Sequence, residues 1–363
     1  MDAHKRYAIS LLVLALVGVI VLLSASYYLQ PLSGDMTRVG GYAENDFGWN
    51  QPQRVFANAP FLHLSQYDQY ADVLVLGDSF SFGSLDGSVN MTWQQFFSDS
   101  TGLTVATINH YTKFEPIAQY GPDLLYKIVN GETFQNHPPR LFILEVIERQ
   151  LDILPIWAGN CQLGHTIEHK PDIKQNPSPP NLVEVNRKTK PPSLQQQIGY
   201  ARKYLYGLVS KHWDKDQAVY QVEMSTPKLF SNKLSDKLLG YKDDFKILTW
   251  NDQYLANIRC NLLNAQNLVQ KNGKTLFVAM IVPDKLSAYS NVLKDKSYLN
   301  TSIIDRLAAD PSLNLVRIDR PLSKLIDEGV VDVYLPNDMH WGYRGHEAAA
   351  AALVQYLVEF SGK

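Results

Sequence analysis

Five short, mainly apolar runs punctuate the chain at Val73–Leu76, Leu103–Ile108, Leu141–Ile147, Thr275–Ile281 and Leu315–Ile318. Continuous Val, Ile and Leu, without polar alternation, predicts parallel strands covered on both faces. Helix-like stretches lie between and after them: Trp93–Asp99, Pro122–Val129, Tyr254–Lys271, Ser302–Ala309 and a last one from Gly345 to Val358. Strand alternating with helix predicts an α/β fold, a doubly wound, mainly parallel five-stranded sheet. In such a sheet the ligand crevice lies beyond the carboxyl ends of the strands.

Two intervals break this rhythm. Residues 30–70 carry Pro31, Gly34, Gly40, Gly41 and Pro60, which interrupt any period and predict an irregular linker. Residues 151–250 begin with Pro171, Pro177, Pro179, Pro180, Pro191 and Pro192, then turn helix-compatible over 194–213. This reads as an insertion within a domain spanning 71–363, leaving the sheet on the ligand side as one wall of a groove, a packing surface or a partner surface.

The first segment, 1–29, has its own character. Lys5 and Arg6 precede an uncharged apolar run from Ile9 to Leu23, extended by Tyr27, Tyr28 and Leu29. That approaches the roughly 20 residues needed to cross a bilayer. The basic flank predicts a single-pass inner-membrane anchor with the remainder in the periplasm. The alternative is a cleaved signal peptide, since Ser24-Ala25-Ser26 offers small residues to a peptidase. The formal net charge of −2 gives no basic face for nucleic acid, so none is expected as a partner.

The chemistry is carried by residues at the two ends of the main domain. Ser79, in Gly77-Asp78-Ser79-Phe80-Ser81, follows the first strand directly and is the candidate nucleophile. Asp338 and His340, in Asp338-Met339-His340-Trp341, supply a carboxylate and a base two residues apart. A serine needs a base to take its proton, and the base needs a carboxylate to fix its tautomer and stabilise the imidazolium. The competing reading of Asp338 and His340 is a cap for the helix that begins near Gly345. Asp332, His346 and Glu347 are reserve candidates, and Asp78 reads as a turn residue bonded to backbone amides.

These motifs resemble the SGNH, or GDSL-type, hydrolase and acyltransferase superfamily. Gly77-Asp78-Ser79-Phe80-Ser81 matches its first block, and Asp338 with His340 its last. The closer likeness is to periplasmic polysaccharide O-acetyltransferases of the alginate-acetylating type, which share Gly-Asp-Ser-Phe-Ser and a close Asp-x-His-Trp. Val282-Pro283-Asp284-Lys285 with Tyr289 adds to it. The Asp-His pair here follows the serine, as in the wider superfamily, so alginate itself is not carried over. The resemblance implies a flavodoxin-like SGNH fold and an acyl-serine intermediate. It also implies a polysaccharide acceptor and a membrane-bound O-acyltransferase as donor partner. An exported esterase using the same residues and a non-catalytic polysaccharide-binding or assembly subunit are the alternatives. No cofactor is expected.

An oxyanion hole needs two or three donors. The Ser79 N–H is the first. The Gly and Asn that the resemblance supplies after the second and third strands are missing, leaving Arg149 and Asn109 as candidates, with Trp341 packed near the site or forming part of its rim. Arg149 reads equally as an ion-pair partner of Glu145, Glu148 or a neighbour. Lys285 reads as a solvated loop residue, with contact to an anionic sugar as its alternative. Cys161 and Cys260 are candidates for one disulfide in an oxidising compartment. Cys161, His165 and His169 have no fourth ligand nearby, so no metal is expected.

Overall fold

The computed structural model describes residues 3–29, 33–57, 62–64, 66–82, 91–109, 122–153, 180–187, 218–299 and 303–362, with isolated positions between 161 and 202. Among the described residues there are ten strands: β1 Gln53–Phe56, β2 Leu62–Leu64, β3 Val73–Gly77, β4 Val105–Asn109, β5 Leu141–Ile147, β6 Leu182–Val185, β7 Val219–Glu223, β8 Lys237–Tyr241, β9 Leu276–Val282 and β10 Leu315–Val316. Six build one sheet in the order β10-β9-β5-β3-β4-β2, with every pairing parallel. The expected five strands are all there, and the short β2 adds an edge beside β4.

The doubly wound expectation holds because successive side chains of a strand point to opposite faces. Val73 and Val75 enter one core with Trp93 and Phe97 of helix Trp93–Thr101, Leu322 of helix Asp319–Asp327, and Leu353 of helix Tyr343–Gly362. Leu74 and Leu76 enter the other, with Ile128 of helix Pro122–Val129, Leu262 of helix Asp252–Gln270 and Leu307 of helix Ile303–Ala308. Burial on both sides explains why the runs are mainly apolar. The order β4-β3-β5-β9-β10 reverses direction between β3 and β5, and ligand crevices form at such a switch point. Ser79 follows the carboxyl end of β3 at that point.

Residues 33–57 correct the linker expectation. They form helices Asp35–Gly40 and Glu44–Phe47 and the strand β1, which pairs with β6 of the insertion. Met36, Tyr42 and Phe47 pack with Val219 and Leu239 of the antiparallel β7–β8 hairpin, also from the insertion. The glycines that break the hydrophobic period here act as joints. Gly41 has φ 67° and ends the first helix, and a Cβ on Gly34 would stand 2.0 Å from the Asn337 carbonyl oxygen. The helix-compatible stretch 194–213 lies outside the described residues, apart from isolated positions.

Helix Ala3–Leu29 has 27 residues, about 40 Å at 1.5 Å per residue, against a hydrocarbon core of about 30 Å. It is long and apolar enough to cross a membrane, and its span Ala3–Ser24 is wholly unburied. Cys161 and Cys260 are joined by a disulfide, with Cα atoms 4.6 Å apart. It ties the insertion to helix Asp252–Gln270. His165 and His169 lie outside the described residues.

Candidate active site

The chain leaves β3 through a turn too crowded for a side chain at its first position. A Cβ on Gly77 would lie 2.4 Å from Ser81 Oγ and 2.8 Å from Glu145 Oε2, so glycine fits where bulk does not. Asp78 then caps the 3₁₀ turn Ser79–Ser81, accepting from Phe80 N at 2.9 Å through one carboxylate oxygen. Its other oxygen accepts from Ile147 N at 2.9 Å, locking the turn to the end of β5. Glu145 Oε2 accepts from Asp78 N at 2.9 Å and Ser81 Oγ at 2.6 Å. Burial, with the nearby charge of Asp78, pushes the Glu145 carboxyl well above its usual range. The result is a rigid base in which Asp78 and Phe80 are buried while Ser79 between them is exposed. Among the described residues after β3, this 3₁₀ turn is followed next by the helix that starts at Trp93.

The loop before the last helix meets that serine. His340 Nε2 lies 2.7 Å from Ser79 Oγ, and His340 Nδ1 lies 2.6 Å from Asp338 Oδ1 on the opposite edge of the ring. Asp338 Oδ1 also accepts from His340 N at 3.0 Å, so the carboxylate fixes both the ring and its backbone. The Phe80 ring packs on the imidazole at 4.8 Å between centroids. Burial alone would raise the Asp338 carboxyl, but the His340 charge and the hydrogen bonds hold it at about 2. Burial works against charge on His340, and the carboxylates of Asp338, Asp35 and Asp78 outweigh it and lift the imidazole above its ordinary value. The pair faces Ser79 rather than capping the following helix.

Two supports of this loop are not evident in the sequence. Lys285, read as solvated, is 1% exposed. Its Nζ donates to the carbonyls of Leu335 at 2.7 Å, Pro336 at 3.1 Å and Asp338 at 3.0 Å. Three carbonyls match the three N–H groups of an ammonium. Burial pulls that ammonium down to about 7 against the opposing pull of Asp338, Asp244 and Asp332. The second support is the arm at 33–44. Asp35 N donates to Asp338 Oδ2 at 3.1 Å, and Met36 N donates to Asn337 O at 3.1 Å. Asn337 Nδ2 donates to the buried Glu44 at 3.0 Å. The only sequence signal was a Gly34-Asp35 pair ahead of a short amphipathic stretch, which turn-like glycines obscured.

The remaining candidates fall elsewhere. Arg149 is buried; its Nη1 pairs with Asp284 and with Asp244 at 3.2 Å, its backbone N–H reaches Asp284 at 2.9 Å, and Nη2 contacts Met339 Sδ at 3.0 Å. Its charge is thus committed to neighbouring carboxylates, which corrects the oxyanion assignment. Trp341 is fully buried, edge-on to Phe80 at 4.8 Å between centroids, so of its two expected places it takes the packed one and offers no rim. Asn109 ends β4 in register with Gly77, at the same sheet edge. Asp332 accepts from Ser231 N at 2.9 Å, His346 is buried against Trp341, and Glu347 pairs with Arg344 at 2.8 Å, so none joins Ser79. For the oxyanion, the Ser79 N–H opens the 3₁₀ turn, a position without a partner inside the turn.

Asp35, Asp338 and His340 present ligand-type atoms within 4.8 Å of one another. The 2.6 Å bond between Nδ1 and Oδ1 engages the atoms a cation would take, and the set reads as a charge-assisted hydrogen-bond pair. A separate cavity of about 470 Å³ is lined by Glu148, Pro283, Ser287, Arg317, Asp319 and others, and contains none of Ser79, Asp338 or His340. The Ser79–His340–Asp338 arrangement can deprotonate a hydroxyl and return the proton to a leaving oxygen. No protein-family model, curated protein or solved structure matches the chain.

Proposed function

We propose that the protein is an exported, serine-dependent O-acyltransferase that moves acetyl onto hydroxyls of a cell-envelope or secreted polysaccharide. The observation carrying this reading is the line from exposed Ser79 Oγ through His340 Nε2 at 2.7 Å to Asp338 on the far edge of the ring at 2.6 Å. Ser79 gives its proton to His340 and attacks the donor carbonyl; the imidazolium then protonates the leaving oxygen. The acetyl-serine is attacked by a sugar hydroxyl whose proton His340 takes and then passes to the departing Ser79 Oγ, regenerating the serine. The motif resemblance to SGNH-type polysaccharide O-acetyltransferases supports the acetyl group and the glycan acceptor.

The N-terminal helix supports a periplasmic domain held at the inner membrane, with Lys5 and Arg6 on the cytoplasmic side. Six residue steps separate Leu29 from Asp35, a reach of at most about 22 Å. The site therefore stays close to where an integral membrane O-acyltransferase would deliver acetyl. An open, solvent-exposed Ser79 favours a second reading, an esterase with water as acceptor. Incubating the purified protein with a small acetyl ester and oligosaccharides of the host envelope decides between them. Acetyl appearing on the glycan supports transfer; deacetylation of acetylated glycan with no transfer to any of them supports the esterase.

A further inference from the structure

The arm at 33–44 does more than brace the catalytic loop. Asp35 is held so that its backbone N–H meets Asp338 Oδ2 at 3.1 Å, while its own Oδ2 stands 3.7 Å from His340 Nδ1. At that separation it makes no hydrogen bond to the ring, so its influence is through charge. Asp338 accepts the hydrogen bond from Nδ1–H and so sets the tautomer. Asp35 adds negative charge on the same edge of the imidazole without competing for that hydrogen. Its other oxygen pairs with the exposed guanidinium of Arg38, one turn along the same short helix.

We propose that Asp35 is a second carboxylate of the site, brought by the arm that follows the N-terminal helix, which stabilises the imidazolium of His340 alongside Asp338. This rests on the acyl-transfer reading for its catalytic meaning, and makes Asp35 a positioning residue acting through His340. The charged groups facing the imidazole are Asp338 on its own loop, Asp35 on the arm and Asp78 on the turn after β3. His346 lies on the next helix and feels the His340 charge. Lys285 holds the carbonyls of the His340 loop, and Arg149 touches Met339 with its charge paired to Asp244 and Asp284. Among these, Asp35 is the member whose charge is removable without leaving a buried partner unpaired, because its own partner, Arg38, is 57% exposed.

Arg38 gives the test its second arm. Neutralising Asp35 should make His340 less basic, and neutralising Arg38 should expose the full Asp35 charge and make it more basic. A purely structural role for the arm would not move the two variants in opposite directions. The experiment is an NMR titration of the His340 imidazole in the full chain in detergent, with ¹³C-labelled histidine and a His340→Gln spectrum for assignment. The midpoint should fall by about 0.3–1 unit in Asp35→Asn at low salt and rise by a smaller amount in Arg38→Gln, both effects shrinking as salt is added. The proposal stands if the midpoint falls in Asp35→Asn and rises in Arg38→Gln; any other pattern overturns it. Should Asp35→Asn not fold, Arg38→Gln decides alone, a rise supporting the proposal and its absence overturning it. If the wild-type protein cleaves no ester at all, the functional reading fails while the titration still decides this point.

Discussion

Lys285 Nζ donates to the backbone carbonyl of Asp338 at 3.0 Å, tying the end of β9 to the residue that orients the candidate base. The same ammonium holds Leu335 and Pro336, so the loop carrying Asp338 and His340 is fixed from within the core. Lys285→Met keeps the length of the side chain and leaves three carbonyls without their donor. It should cost at least about 2 kcal/mol of stability. Ester cleavage should fall by up to about 10²-fold through misplacement of His340. Thermal denaturation and steady-state kinetics check both. Unchanged stability would mean that water replaces the ammonium and that the loop does not depend on it.

Arg149 separates a structural cation from an oxyanion donor. Its guanidinium compensates two buried carboxylates, Asp244 and Asp284. Breaking a buried pair by removing one partner costs about 3–5 kcal/mol, because the remaining charge is stranded. Arg149→Met should therefore lower the melting temperature sharply. Normal stability with a selective loss of kcat would instead return Arg149 to the oxyanion hole.

The pH dependence follows from the His340–Asp338 pair. The folded imidazole is raised above its ordinary 6.5, so the stabilisation its charge provides is full below that value and is lost as pH rises through the folded midpoint. The Asp338 carboxyl is lowered to about 2, so its contribution is present above the ordinary carboxylate value and is lost as pH falls toward 2. Asp338→Asn should thus destabilise most between about pH 4 and 6.5, with the difference from wild type shrinking in alkali. Activity runs the other way, because the base must be neutral: kcat/KM should rise with a midpoint above 6.5. A midpoint at or below the ordinary histidine value would contradict the charge environment of the ring.

Much of the fold was legible in the sequence because burial on both faces favours mainly apolar runs. Leu141–Ile147 coincides with β5, and Pro122–Val129 with its helix. Ser79, Asp338 and His340 were found because proton relay demands those residue types near strand ends. Contacts built on single long-range hydrogen bonds leave no periodic trace. Lys285 looks like a loop lysine until the carbonyls of 335–338 close over it, and Arg149 looks available until Asp244 arrives from a distant turn. Asp35 and Glu44 were hidden among glycines that serve as close-contact joints, as Gly34 does against Asn337.

The central claim is that Ser79 carries the acyl group with His340 as its base. Rapid quenching of the protein with a chromogenic acetyl ester, followed by peptide mass spectrometry, tests it directly. The account predicts one added acetyl on the peptide containing Ser79, formed in a burst, absent in Ser79→Ala and strongly slowed in His340→Gln. Acetyl found on another residue, or an equal burst from Ser79→Ala, would contradict it.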